Sequence, residues 1–480
     1  MTFHAWRLAA TLILATVRAA HGGAPAIVTP CHIDDVEEAV SCIALDVPRD
    51  WNEPRKGIIK IGAAIVPQLG AARGAPPLFV LPGGPGQAGT ETGALVEAAL
   101  AEARKTRDIV LFDPRGTGRS HALRCKMELL ASALDLDAIA RDGARCRREI
   151  GTMGDVITHD AIARDIDALR AALGAETIDL WGGSYGTKLA QAYAVRFPGR
   201  TRAMVLDAAL TLDLPLLLTA AGDADRAWER LAADCAADAA CDAAFPGIGE
   251  RLFALLARLD RAPLMAELHD PTTSVSRRVT FDRMGLGQAV RGALYVPQYA
   301  ALLPYAVARA EDGDPSVLYA LNAATASWSL DTMYLGQTLA LLCGEEIPLA
   351  RAHAAEARPG RLIGDSYYAI WAAACRDWPR NARRGTVAIA HPLGIPVLLL
   401  AGALDPVTPP ARAQAVAANF TDAVVAVAPA GGHTISPLGC VPSLIARFLE
   451  AGTAKGLDMS CLATPTRRPP FVTGPLGPAQ

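Results

Sequence analysis

The sequence has no excess of charge of either sign: 46 lysines and arginines face 49 aspartates and glutamates, for a net charge of −3. Nucleic-acid binding calls for a strongly basic field, so that class of partner is excluded. Apolar residues never run on for the roughly 18 positions that a membrane span requires, so no stable membrane insertion is expected. No CxxC occurs, nor any Cys/His cluster with zinc-ligand spacing, so no metal is expected. The Gly-rich stretch from Asp113 to Ser120 lacks a P-loop lysine and the full dinucleotide fingerprint, so no organic cofactor is expected either. Internal repeats and long linkers are absent.

What is present points to an exported globular protein. At 480 residues the chain exceeds the size at which one core stops growing, so it holds two units or one large fold with an insertion. Arg7, an apolar run from Leu8 to Val17 and small residues at Ala19, Ala20, Gly22 and Gly23 form the pattern of a secretory signal peptide over 1–22. The localisation expected is therefore secreted, periplasmic or extracellular. Ten cysteines agree with this: Cys31, Cys42, Cys125, Cys146, Cys235, Cys241, Cys343, Cys375, Cys440 and Cys461. In an oxidising compartment the simplest arrangement joins neighbours into five local disulfides, although spacing alone does not select one pairing.

Short apolar runs at 58–66, 77–81, 109–112, 178–181, 203–206, 397–400 and 423–427 read as buried strands, with helical patterns such as 161–173 and 188–197 between them. That alternation predicts an α/β fold, a mainly parallel sheet covered by helices on both faces. It stops after Ala209. From 210 to 385 the chain is Ala-rich and helical in pattern, without clear strand runs, and it carries seven of the nine tyrosines. The division expected is a core of 27–209 and 386–465 interrupted by a helical lid over 210–385, with a flexible Pro- and Gly-rich tail over 466–480.

One string places chemistry on this frame. Gly182-Gly183-Ser184-Tyr185-Gly186 follows a predicted strand and opens a predicted helix, the setting in which G-x-S-x-G makes a sharp turn with its serine at the tip. A serine hydroxyl needs a base to take its proton. In this type of fold the chain order is serine, acid, histidine, which removes His32, His121 and His159. His269 and His353 fall inside the insert and His391 at its exit, leaving His433 on a Gly-Gly loop after the last strand run. Asp405 stands just beyond the apolar run 397–400, where a buried carboxylate would orient the imidazole; it is also placed to cap the helix starting near Pro410. Two backbone donors for an oxyanion are expected: the N–H of Tyr185, and that of Gly84 in Leu81-Pro82-Gly83-Gly84-Pro85-Gly86, with Gly83 the neighbouring choice. Asp113 to Ser120 is expected to brace that loop.

The 81–86, 113–120 and 182–187 strings together resemble the proline iminopeptidase branch of the α/β-hydrolase fold. The insert, the cysteine count and the stretch holding Asp405 and His433 resemble the secreted tripeptidyl aminopeptidases of bacteria. Pro82 departs from the histidine that many iminopeptidases carry before the glycines. The resemblance implies a serine aminopeptidase that releases one to three residues from a free peptide N-terminus through an acyl-enzyme, with a small peptide as substrate. It also implies an anion for the substrate ammonium, and in Leu342-Cys343-Gly344-Glu345-Glu346 it points to Glu345, with Glu346 beside it. The insert's tyrosines, with Trp328, Trp371 and Trp378, either line a substrate wall or pack the lid. An esterase or lipase using the same three residues, and a hydrolase-fold binding protein that no longer turns over, are the other readings.

Overall fold

The computed structural model describes residues 15–17, 26–71, 74–127, 133–271, 273–330, 333–357, 359–379, 387–463 and 469–475. The expected signal segment lies outside these except for Ala15–Val17. Twelve strands are described: β1 Ala15–Val17, β2 Ala26–Cys31, β3 Val40–Pro48, β4 Ile58–Val66, β5 Leu78–Leu81, β6 Ile109–Phe112, β7 Ile178–Gly183, β8 Thr201–Asp207, β9 Leu264–His269, β10 Ser276–Phe281, β11 Leu393–Gly402 and β12 Phe420–Ala428. Ten of them form one sheet in the order β1-β2-β3-β4-β6-β5-β7-β8-β11-β12. The β1 to β4 edge is antiparallel and β4 meets β6 antiparallel; every pair from β6 to β12 is parallel.

The parallel strands β5, β6 and β11 are apolar along their length because both faces are covered. Val397 and Leu399 of β11, with Phe79 and Leu81 of β5, pack against Ile162, Ile166, Leu189 and Tyr193 from helices His159–Ala172 and Gly186–Arg196. Their alternates Leu398, Leu400, Leu78 and Val80 pack on the opposite face against Leu444 and Phe448 of helix Val441–Ala451. Each fully buried side chain of this kind contributes roughly 1.5–3 kcal/mol. The strands β2 and β3 were not among the apolar runs read from sequence; they lie toward the antiparallel edge, where β3 intersperses partly exposed residues among buried ones and β2 buries only Ala26.

The stretch between β8 and β11 is mostly helical, with two departures from the expectation. First, β9 and β10 pair as a hairpin, with Glu267 opposite Arg278 and Leu264 opposite Phe281. Its turn is local: the Asp270 side chain accepts from Thr273 N, and Ser274 takes a left-handed φ of 59°. Only Val279 and Phe281 of its second strand are buried, too few to stand out as a strand run. Second, the insert does not pack as one body. Trp228, Leu252, Leu256, Phe281, Leu286 and Leu303 build a core of their own. Leu339, Leu341, Ile347, Ile370, Trp371 and Trp378 instead join the core on the sheet. Both tryptophans therefore pack the interior.

The cysteines pair as neighbours: Cys31–Cys42, Cys125–Cys146, Cys235–Cys241, Cys343–Cys375 and Cys440–Cys461. The free tail expected over 466–480 needs correcting at 469–475. There Phe471 enters the insert's core and Val472 N donates to Ala301 O at 3.2 Å, because one large aromatic gives the Pro-rich segment something to bury. Among the described residues no helix is long and apolar enough to cross a membrane.

Candidate active site

Ser184 sits between β7 and helix Gly186–Arg196 with φ 52°, a left-handed conformation that costs a non-glycine residue on the order of 1–3 kcal/mol. The surroundings hold it there. Ser184 N donates to Asp207 O at 2.8 Å, and Ser184 O accepts from Thr187 N at 3.0 Å and Thr187 Oγ1 at 2.6 Å. Gly186 is glycine for a steric reason: a Cβ there would lie 2.0 Å from Leu81 O and 2.7 Å from Pro82 O. The Ser184 turn and the 82–86 loop are thus pressed together.

His433 Nε2 lies 2.9 Å from Ser184 Oγ, and its Nδ1 lies 2.9 Å from Asp405 Oδ2. Asp405 is buried and its remaining acceptor sites are filled. Oδ1 accepts from Val407 N at 2.8 Å and Thr408 N at 3.0 Å, while Oδ2 also accepts from Thr408 Oγ1 at 2.5 Å. Burial works against this carboxylate, but the His433 charge, its ring N–H and the Thr408 hydrogen bonds outweigh it and hold the pKa below the ordinary range. The His433 loop is pinned on two sides. Tyr295 O of the insert accepts from His433 N at 2.9 Å, and the Tyr295 ring stands edge-on to the imidazole at 5.0 Å. Burial pushes the Tyr295 phenol up to about 12. On the sheet side, the Asp207 carboxylate accepts from Ile435 N and Ser436 N.

Tyr185 occupies the N-cap of the helix after the serine, where a backbone N–H has no intrahelical acceptor. Facing it, the 82–86 loop brings Gly83 so near that a Cβ there would lie 3.1 Å from Ser184 Cβ; Gly84 has φ 108°, and the Gly84–Pro85 peptide is cis. Thr338 Oγ1 donates to Pro85 O at 2.6 Å and Tyr334 N to Gly86 O at 2.7 Å, so the insert clamps this loop. Beneath it, Asp113 accepts from Thr90 N, Thr90 Oγ1 and Arg119 N, although burial pushes its carboxyl up to about 6. Arg115 makes a two-pronged contact with Asp165, at 2.6 Å to each oxygen, with both side chains fully buried. These bonds tie the 113–120 stretch to Thr90, just after the loop, and to Asp165, rather than to residues 82–86 themselves.

Glu345 and Glu346 lie beside the Tyr185 side chain and are buried rather than open to solvent. Glu345 accepts from His159 N at 3.1 Å and pairs with the His159 ring; Glu346 pairs with Lys188 Nζ at 2.5 Å. The His159 ring stacks on Tyr185 at 5.5 Å. Burial first, then the two glutamates, raise the Tyr185 phenol well above its ordinary pKa. Tyr185 OH, His159 Nε2 and Glu346 Oε2 have no hydrogen-bond partner among the described residues. A substrate ammonium reaching this cluster would share its carboxylates with Lys188 and His159.

Ser184, His433 and Asp405 are therefore in hydrogen-bonding line, with Tyr185 and Gly84 adjoining. Thr408, Asp207, Tyr295 and His159 were not foreseen. Thr408 had a faint signal in Asp405-Pro406-Val407-Thr408, and Asp207 stood as the polar end of an apolar strand. Tyr295 had no local signal.

A strand–turn–helix serine on a mainly parallel sheet, with its acid and histidine beyond later strands, defines the hydrolase class of this architecture. Residues 76–439 match the family described as alpha/beta hydrolase fold, and the chain belongs to it. Among its relatives, the serine protease Hip1 of Mycobacterium tuberculosis is 28% identical over 492 residues, covering 92% of this chain and 91% of that protein. The tripeptidyl aminopeptidase of Streptomyces lividans is 33% identical over 194 residues, 36% of each chain. The carboxylesterase B of Mycobacterium tuberculosis is 34% identical over 229 residues, 42% of each.

Proposed function

We propose that this chain is a serine aminopeptidase that works through an acyl-enzyme. The observation carrying this reading is the His433 ring standing 2.9 Å from both Ser184 Oγ and Asp405 Oδ2. His433 takes the Ser184 proton as Oγ bonds to the scissile carbonyl carbon, and Asp405 keeps the ring in the tautomer with its proton on Nδ1. The N–H groups of Tyr185 and Gly84 receive the oxyanion. The C–N bond then breaks, His433 gives its proton to the leaving amine, and a water activated by the same histidine releases the acyl group.

The peptide substrate is supported by the names of the serine protease and tripeptidyl aminopeptidase relatives. Recognition of a free N-terminus is assigned to Glu345 and Glu346. These two buried carboxylates face one ammonium, that of Lys188, and the His159 ring, and a substrate ammonium would add a second full cation to the pair. Export to an oxidising compartment is part of the same reading, supported by the five disulfides. An esterase reading has one support, the carboxylesterase B relative.

The test uses short peptides with free or acetylated N-termini and mass analysis of products, with Ser184→Ala as blank. Release of one to three residues from free-amine peptides only, with a raised KM in Glu345→Gln, supports the aminopeptidase. Hydrolysis of simple esters without any peptide cleavage would discard it in favour of the esterase; no Ser184-dependent turnover of either would leave a binding protein.

A further inference from the structure

Asp207 ends β8, between the strand that carries the serine and the strand that precedes Asp405: it is in register with Gly183 of β7 and Leu400 of β11. It is fully buried, and it bonds to both sides of the site at once. Its carbonyl accepts from Ser184 N at 2.8 Å. Its carboxylate accepts from Ile435 N at 3.0 Å to each oxygen and from Ser436 N at 2.7 Å. The base loop needs such an anchor because Thr434, directly after His433, takes a left-handed φ of 65°. Ser436 is held a second time, by Trp181 Nε1 donating to its Oγ at 2.9 Å.

We propose that Asp207 is a positioning residue, one ionised side chain that fixes the His433 loop against the Ser184 turn and whose charge supports the imidazolium formed in the reaction. This rests on the Ser184–His433–Asp405 reading above. Ionisation follows from the partners. The carboxyl oxygens face two backbone N–H donors and the Ser436 side chain, whose Oγ already accepts from Trp181 Nε1 and so turns its own proton toward Asp207; all of these suit an ionised acceptor. Burial pushes the Asp207 pKa up, while the Ser436 and Ile435 donors and the His433 charge oppose it. The groups facing His433 are Asp405 and Thr408 beyond β11, Ser184 beyond β7, Tyr295 from the insert and Asp207 from β8. Arg291 lies one layer behind, bonded to the Tyr295 hydroxyl. Asp207 is thus the second negative group acting on the imidazolium, after Asp405.

In Asp207→Asn the amide NH2 must face a backbone N–H, so the loop shifts and the charge is lost together. The rate of fluorophosphonate labelling at Ser184 and kcat are expected to fall about tenfold or more with KM little changed. The acidic limb of the pH–rate profile is expected to move to lower pH, as loss of a nearby opposite charge requires. Asp207→Glu keeps the charge at a displaced position, so it should lose rate while keeping the acidic limb. In the unaltered protein, the Ile435 and Ser436 amides should be among the slowest to exchange hydrogen. A folded Asp207→Asn protein with kcat within twofold and an unmoved acidic limb would overturn the proposal, as would rapid exchange at these two amides. Absence of labelling in the unaltered protein would instead refute the Ser184 reading itself.

Discussion

Replacing Asp405 by asparagine changes one atom, and the structure dictates which way the new amide turns. Oδ1 accepts from two backbone donors, Val407 N and Thr408 N, so only the amide oxygen fits that side. The NH2 then replaces Oδ2, opposite His433 Nδ1 and Thr408 Oγ1. A donor there obliges Nδ1 to accept, which moves the imidazole proton to Nε2. That nitrogen lies 2.9 Å from Ser184 Oγ and, once protonated, cannot take the serine proton. The loss expected is about 10⁴-fold in kcat, or about 5 kcal/mol of transition-state stabilisation. The assay is steady-state hydrolysis of a chromogenic amino-terminal tripeptide amide, with circular dichroism and thermal unfolding to establish that the variant is folded. A folded Asp405→Asn protein losing less than tenfold would refute the assignment of Asp405 as the orienting acid and leave it as a brace of its own 405–408 turn. It does not cap Pro410–Ala417, as the sequence also allowed, because that helix has Pro409 at its N-cap and no side-chain cap bond.

Three further outcomes follow from the geometry. Gly186→Ala drives a Cβ to 2.0 Å from Leu81 O, so the loop must shift at a cost of roughly 1–3 kcal/mol; thermal unfolding should begin several degrees lower and kcat/KM should fall at least tenfold. The Asp405 pKa is depressed in the folded state, so its stabilising contribution is whole above the unfolded-chain value of about 3.9 and is lost as pH falls through the folded value. Denaturant midpoints of the unaltered protein should therefore drop more steeply below about pH 4 than those of Asp405→Asn, and parallel curves would contradict this. Removing the Cys343–Cys375 bridge by a double alanine substitution opens a loop of sequence separation 32 and should cost about 3–4 kcal/mol, read as a lowered denaturant midpoint.

What could be read from sequence was what is encoded locally. The Gly182 to Gly186 string states its own turn, because a strained serine needs glycines where backbones touch. Asp405 and His433 each follow an apolar run, 397–400 and 423–427, and the chain order of the fold leaves little freedom in choosing them. The parallel strands were legible because burial on both faces makes them uninterrupted apolar runs. The rest depends on neighbours distant in sequence. Asp207 acquires its role only when β8 lies beside β7 and the loop after β12 folds back over it. Tyr295 matters because an insert helix ends against Gly432, where a Cβ would lie 2.4 Å from Tyr295 O. The string holding Glu345 and Glu346 carries no sign of their partners, yet Lys188 and His159, more than 150 positions earlier, come to meet them. The insert read as one helical body because sequence periodicity tells which face of a helix is buried and not against which core.

The most direct test of the account is mass mapping of the site modified by a fluorophosphonate, which reacts only with a serine whose proton is taken by a positioned base. The account predicts a single adduct, on Ser184, forming at a rate that rises with pH as His433 loses its proton, and none in Ser184→Ala or at comparable rate in His433→Gln. Absence of the adduct in folded protein, or equal labelling after loss of His433, would contradict it.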